Sequence, residues 1–240
     1  MIINPEDKMT FTEAIEFFSD KINIDTDAWN EQLNIDRDAA FTVARAKGLL
    51  LQEIRQAVAK GQRDGQSTQE FQKTFNDIAD RYSPDWLGKG NRAWRSSLIY
   101  EQNLRAAHAA GRHEQMTQSD VMKLRPYWQW RHGGSREPRL SHIALDGKVF
   151  DADDLPMKPP CGFNCRCQVF SLSRRDLVRE GLEVSDIKEG DTISVTHKGE
   201  KYDVVIQPDE GFETKKKASL DDLEMPFRKQ AADEIKSLGK

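Results

Sequence analysis

Residues 125–131, which read RPYWQWR, are where the hydrophobic pattern of the chain changes from a helical period to a period of two. From Tyr127 onward apolar and polar side chains alternate, and such alternation over a short run is typical of a β-strand. Before Pro126 the apolar residues recur at every third or fourth position, as they do in amphipathic helices. The sequence therefore predicts an α+β protein, with a helical N-terminal half followed by a small hairpin-rich module.

Four helices of the N-terminal half are predicted from periodicity and end signals. The first follows a capping box of Thr10 and Glu13 and places Ile15, Phe18 and Ile22 on one face. The second runs over roughly residues 38–60, and Gly61 is its predicted stop because glycine accepts the left-handed conformation that often ends a helix. The next begins at a capping box, in which Ser67 and Glu70 each bind the other's backbone N–H. A long helix is predicted over roughly residues 91–118.

The region after Pro126 is predicted to contain short strands. Residues 143–150 are interpreted as a hairpin around a two-residue Asp146–Gly147 turn. Residues 165–171 are predicted to form a further strand, and residues 193–195 and 202–206 a second hairpin. The predicted organisation is a helical domain over residues 1–120, an α+β module over residues 121–190, and a hairpin with a C-terminal tail helix over residues 191–240.

Composition excludes several classes of protein. With a net charge of −4, the chain is not a basic protein that wraps nucleic acid. No apolar run approaches the roughly 18 residues that a membrane span needs, so no membrane partner is expected. The first residues lack the basic and apolar segments of a signal peptide, which predicts a protein that is made in the cytoplasm.

The charge is unevenly distributed along the chain. Residues 1–40 hold ten acidic and three basic side chains, whereas residues 121–150 hold six basic and two acidic ones. The basic stretch is either ordinary solvated surface or a face toward DNA or an acidic partner. In the second interpretation the candidate nucleic-acid contacts are Arg125, Arg131, Arg136 and Arg139.

The three cysteines, Cys161, Cys165 and Cys167, lie within seven positions and follow His142. An odd, clustered set in a cytoplasmic chain argues against a disulfide framework. In a strand, Cys165 and Cys167 would place both sulfurs on one face and Arg166 on the other. We expect these sulfurs and His142 to hold the intervening loop against the module.

Three interpretations of this cluster stay open. The cysteines are small buried apolar residues, with His142 hydrogen-bonded in a loop. Alternatively, they bind zinc with His142, and Cys161 is the fourth ligand. In the third interpretation one cysteine is a nucleophile, but the sequence offers no marked third member of a catalytic set. No glycine-rich phosphate loop or His-Glu-x-x-His motif is present, so no catalytic residue and no enzyme activity are predicted.

These motifs resemble those of the Mu F-like phage head-morphogenesis domain. The residues that carry the resemblance are His142, the Asp146–Gly147 turn, Pro159, Pro160, and the run of Cys165, Arg166 and Cys167. Residues 39–44 and 99–105 resemble the helical part of the Mu-like branch, so the resemblance extends over roughly residues 10–180. One departure is Cys161, which stands where the family more often has asparagine. A four-ligand site that uses this cysteine would therefore not be a family feature.

The resemblance implies a minor head protein of a tailed bacteriophage that acts in capsid assembly and in DNA packaging or ejection. The implied partners are the portal protein, the major capsid or scaffold protein, and the packaged DNA. The implied location is the virion, with assembly in the host cytoplasm. Two alternatives from other classes are a zinc-stabilised nucleic-acid-binding module and a cysteine-dependent hydrolase or toxin.

Overall fold

The chain divides into two units, and the division falls between Gly111 and Arg112. The computed structural model describes residues 11–24, 40–82 and 88–212. We call the described residues up to 111 the helical unit and residues 112–212 the sheet unit. The predicted α+β class is confirmed, because the N-terminal half is helical and the hairpins follow it. The three-part domain division stays a prediction, which fragment unfolding would test.

The helical unit is built from four helices and one short parallel strand pair. In chain order its elements are α1 (Thr12–Ser19), β1 (Ile22–Asn23), β2 (Ala40–Phe41), α2 (Gly48–Asp64), α3 (Thr68–Tyr82) and α4 (Gly88–Met116), whose last turn belongs to the sheet unit. The capping box predicted at the start of α3 is present: the Glu70 N–H donates to Ser67 Oγ at 3.3 Å and the Ser67 N–H donates to the Glu70 carboxylate at 2.7 Å. The predicted long helix is also confirmed, as α4.

The bounds predicted for α2 were wrong at both ends. The helix begins at Gly48, because residues 40–41 pair with β1 and Arg45 adopts a left-handed φ of 65° that no α-helix accommodates. The helix ends at Asp64 and is capped by Gly65, whose φ is also 65° and whose N–H donates to the Gly61 carbonyl. Gly61 lies inside the helix, where a Cβ atom would stand 2.8 Å from the Tyr100 hydroxyl oxygen. That glycine makes room for a tyrosine of α4.

The core of the helical unit is apolar and aromatic. The Phe71 and Tyr100 rings stack with centroids 4.4 Å apart, and the Tyr100 hydroxyl donates to the Gln66 carbonyl at 2.8 Å. Ile54, Val58 and Phe75 are fully buried around them. Residues three and four apart on each helix thus supply one continuous core.

The sheet unit contains three short helices and five strands. Its elements are α5 (Ser119–Leu124), β3 (Tyr127–Arg131), α6 (Leu140–Ala144), β4 (Val149–Asp151), a 3₁₀ turn (Ala152–Asp154), β5 (Gln168–Leu172), α7 (Arg174–Glu180), β6 (Thr192–His197) and β7 (Glu200–Val205). β3 is the centre of an antiparallel sheet in the order β4-β3-β5. The predicted second hairpin is confirmed as β6 and β7, which turn at Lys198 and Gly199 with positive φ at both residues.

Two strand predictions in the sheet unit were wrong. Residues 140–144 form helix α6, because β4 pairs with β3 and leaves no strand partner for the residues before the Asp146–Gly147 turn. β5 begins at Gln168, so Cys165 and Cys167 precede the strand and strand alternation does not orient them. The predicted C-terminal tail helix lies outside the described residues. Within the described residues, no helix is both long enough and apolar enough to cross a membrane.

Candidate functional site

His142, Cys165 and Cys167 come together inside the sheet unit, and we call them the His–Cys cluster. The Nδ1 atom of His142 lies 3.7 Å from the Sγ atom of Cys165 and 3.5 Å from that of Cys167. One ligand atom from each of the three residues lies within 4.8 Å of the others. The three residues are 2–7% exposed. Their role as functional residues stays a prediction.

The Asp146–Gly147 turn ties the end of α6, which carries His142, to strand β3. The Gly147 N–H donates to the Trp130 carbonyl at 2.9 Å, and the His132 N–H donates to Asp146 Oδ1 at 2.8 Å. Gly147 has a φ of 78°, which a residue with a side chain adopts only at a cost. The turn therefore sets the position of α6, and with it the position of the imidazole.

Residues 155–167, which we call the cysteine loop, connect the 3₁₀ turn to β5 and carry all three cysteines. The loop contains the cis peptide bond between Pro159 and Pro160. It also contacts Gly133: a Cβ atom there would overlap the backbone of Arg166, whose side chain is exposed. The Gly133 N–H donates to the Cys167 sulfur. Gly133 thus allows the loop backbone to approach β3 closely enough to bury that sulfur.

An ion pair holds the other side of the cysteine loop. Arg139 NH2 lies 2.7 Å from Asp209 Oδ2 and donates to the Phe163 carbonyl at 3.0 Å. The Asp209 N–H donates to the Cys161 carbonyl at 2.9 Å. A Cβ atom at Gly162 would collide with the Asp209 carboxylate, so that residue also has to be small. Asp209, which follows β7, thereby joins the hairpin region to the cysteines.

The His–Cys cluster is enclosed by an apolar shell. The buried residues packed with its cysteines are Trp130, Leu145, Phe150, Met157, Cys161 and Ile206. The imidazole of His142 packs against the Trp130 ring edge to face, with centroids 6.1 Å apart. Within the described residues, His142 Nε2 and Trp130 Nε1 are buried and have no hydrogen-bond partner.

The electrostatics of the cluster separate the three thiols. Hydrogen bonds from the thiols of Cys161 and Cys167, together with one from His142, hold the pKa of Cys165 well below its usual range. Burial raises the pKa of Cys161, and its hydrogen bond to Cys165 raises it further. The pKa of Cys167 is raised by its own bond to Cys165 and by burial. The three thiols thus interact with one another, and Cys165 also interacts with His142.

This geometry suits metal binding or packing better than nucleophilic catalysis. A nucleophilic sulfur has to be reached by its substrate, and these sulfurs lie under an apolar shell. Two thiolate sulfurs and one imidazole nitrogen are, by contrast, ligands that Zn²⁺ prefers. Cys161 is fully buried and hydrogen-bonds Cys165, but it is not one of the three residues whose ligand atoms lie mutually within 4.8 Å.

Three of the four arginines proposed to contact nucleic acid make bonds inside the sheet unit. Arg125 donates to the Ser171 carbonyl and side chain, and Arg139 pairs with Asp209. Arg131 Nε lies 3.7 Å from Asp146 Oδ1. Arg136 is exposed. A nucleic-acid contact through these residues stays a prediction.

Sequence reasoning missed Gly133 and Asp209. Gly133 had a signal, because a Gly-Gly pair just beyond a strand end indicates either a turn or a close backbone approach. Asp209 had none: it lies 48 residues after Cys161 in the numbering, and only the folded chain brings the two together.

Comparison with known proteins relates residues of both units to one protein family. A family model described as phage Mu protein F like protein matches residues 52–170, from α2 into β5. The chain is 34% identical over 191 residues to a protein of Escherichia phage Mu named putative capsid assembly protein F, and the match covers 72% of this chain and 43% of that protein. It is 33% identical over 172 residues to a Mu-like prophage FluMu F protein of Haemophilus influenzae, with 65% and 40% covered. The chain thus spans less than half the length of these curated relatives, and no solved structure matches it.

Proposed function

Because the chain belongs to the family of phage Mu protein F-like proteins, we propose that it is a protein of the phage head that takes part in capsid assembly. The observation that carries this proposal is the 34% identity over 191 residues with the protein named putative capsid assembly protein F. The matched family region covers most of the helical core as well as the His–Cys cluster, so the similarity is not confined to one motif.

The finer proposal is a minor head protein that binds the portal and stays in the mature particle. There it contacts the major capsid or scaffold protein and the packaged DNA, and it acts in DNA packaging or ejection. It does so as a structural component and not as an enzyme. The support for this last point is the burial of His142, Cys165 and Cys167, since a catalytic sulfur has to meet its substrate.

Mass spectrometry of purified particles tests this function. Procapsids and virions from a strain that carries the tagged chain should both contain it, whereas particles from a strain lacking its gene should not. The matched control is a lysate without the portal gene, in which co-purification of the chain with head particles should be lost. Absence from procapsids and virions alike would refute a head protein, and presence in procapsids alone would refute retention in the mature particle.

A further inference from the structure

We propose that the sheet unit binds one Zn²⁺ ion through His142 Nδ1 and the sulfurs of Cys161, Cys165 and Cys167. The inference rests on the geometry of His142, Cys165 and Cys167 and on the burial of Cys161 beside them, and it does not depend on a role in the phage head. It assigns a resident structural metal to a part of the chain that has little regular secondary structure.

The distances within the His–Cys cluster match the edges of a zinc tetrahedron. Zinc bonds sulfur at about 2.3 Å and histidine nitrogen at about 2.0–2.1 Å, so tetrahedral angles separate a sulfur from a nitrogen by roughly 3.6 Å. The two observed separations from His142 Nδ1 are 3.7 Å to Cys165 and 3.5 Å to Cys167. Both nitrogen–sulfur edges therefore already have about the length that zinc would impose, and the two sulfurs lie within 4.8 Å of each other.

Hydrogen bonding alone satisfies this arrangement poorly. A ring nitrogen of histidine has either one lone pair or one N–H, so it makes one good hydrogen bond in the plane of the ring. Here two sulfurs lie at nearly equal distances from the same Nδ1 atom. One cation between the three atoms would bond all of them at once.

Cys161 is the fourth ligand that the surroundings favour. Structural zinc sites are almost always four-coordinate, and their ligands come from the protein. The cysteines and His142 are at most 7% exposed, so the apolar shell leaves little access for a water ligand. The Cys161 thiol is fully buried in the same shell and already hydrogen-bonds Cys165. A local shift of this sulfur toward Cys167 and His142 would complete the tetrahedron.

The ion would join segments that are otherwise connected by few regular hydrogen bonds. His142 lies on α6, Cys161 lies in the middle of the cysteine loop, and Cys165 and Cys167 lie just before β5. Ordering each residue of such a loop costs roughly 1–2 kcal/mol of backbone entropy, and metal binding coupled to folding offsets such a cost.

Metal analysis of the full-length chain, purified without chelators, is the decisive experiment. We expect about one zinc per chain by mass spectrometry of the element, as one four-ligand site requires. Cobalt should replace zinc and give the intense visible bands of a tetrahedral site together with sulfur-to-cobalt charge transfer. A wild-type protein that takes up neither zinc nor cobalt with these properties would overturn the proposal, whatever the variants do.

Ligand variants identify the residues and separate three ligands from four. Cys165→Ser and His142→Gln should weaken zinc affinity by more than the 10–100-fold loss typical of residues behind the ligands. Cys161→Ser should lower the charge-transfer intensity by about a third, since it removes one sulfur of three. His197→Gln, at the end of β6, is the matched control and should bind zinc like the wild type. An unchanged cobalt spectrum in Cys161→Ser would overturn the four-ligand assignment.

Discussion

The helical unit and the sheet unit obtain their stability in different ways. The core of the helical unit is a set of apolar side chains that recur along helices, such as Ile54, Val58, Phe71 and Phe75. The core of the sheet unit includes three cysteines and lies beside a buried histidine, and the cysteine loop carries all three cysteines. The first core is built from side chains on regular helices, whereas in the second the close contacts of Gly133, Asp209 and the His–Cys cluster involve an irregular loop.

This difference predicts where an added methyl group lowers the stability of the protein most. A side chain beside an added methyl group can rotate away, but a backbone segment held by neighbouring strands cannot. Gly61 in the helical unit faces the ring of Tyr100, and Gly133 in the sheet unit faces the backbone of Arg166. The same substitution at these two glycines therefore probes the two kinds of core directly.

Gly133→Ala should give the largest loss in the free energy of unfolding. Its Cβ atom would overlap the Arg166 backbone, and the displaced loop would weaken the N–H bond to the Cys167 sulfur. We expect a loss of about 3 kcal/mol or more in the free energy of unfolding, at the upper end for an overpacked site. Hydrogen exchange over residues 127–172 would locate the loss. Gly134→Ala is the control, because its Cβ atom meets nothing within 4 Å and only its left-handed φ costs about 1–2 kcal/mol. Equal losses in the two variants would contradict the close approach.

Gly61→Ala should cost less, at most about 2 kcal/mol. Its Cβ atom would lie 2.8 Å from the Tyr100 hydroxyl oxygen and 2.9 Å from a ring carbon, both at the end of a side chain that can shift. Overpacking of about 1–3 kcal/mol is partly offset, because alanine is a better helix former than glycine by about 1 kcal/mol. Urea unfolding of both single variants and the double variant with Tyr100→Phe measures this coupling. Strictly additive losses would show that the tyrosine end is not what the new methyl group meets.

Ser67→Ala should cost about 1 kcal/mol in the helical unit, since it removes the oxygen that accepts the Glu70 N–H at the start of α3. Ser67→Gly should cost only a few tenths of a kcal/mol, because glycine at an N-cap leaves the first backbone groups open to water. Denaturant titration monitored by far-UV circular dichroism would rank the two variants. A glycine variant as unstable as the alanine variant would contradict the prediction that water replaces the lost hydroxyl at this N-cap.

Removing the charge of Asp176 in the cap of α7 should give the smallest loss of stability, and this loss should depend on pH. The Ser173 N–H, the Ser173 hydroxyl and then Arg179 and Arg125 hold the pKa of Asp176 below its usual value of 3.8. A lowered carboxyl pKa stabilises the folded state above the usual pKa, and this contribution disappears as the pH falls through the lowered value. Asp176→Asn should therefore be less stable than the wild type at neutral pH, and the gap should close in acid. A gap that stays constant down to about pH 2 would contradict this linkage.

Local signals explain most of what was predicted correctly. Three elements depend on residues only a few positions apart, so their patterns can be recognised in the sequence. They are the strand at Tyr127–Arg131, the capping box of α3 and the β6–β7 hairpin. The hairpin predicted over residues 143–150 failed because β4 takes its partner from β3, about twenty residues earlier, and not from its own neighbour. The predicted start of α2 was wrong for a similar reason, since Ala40 and Phe41 pair with β1.

The sequence by itself determined the α+β class, the change of period at residue 126, and the residue types that a zinc site would need. These properties follow from side-chain period and chemistry, which need no knowledge of distant neighbours. Only the tertiary structure decided that His142 lies on a helix, 23 and 25 residues from the sulfurs it meets, and that Gly133 and Asp209 hold the loop in place. Those contacts depend on how separate segments pack against one another, and close packing has no period along the chain.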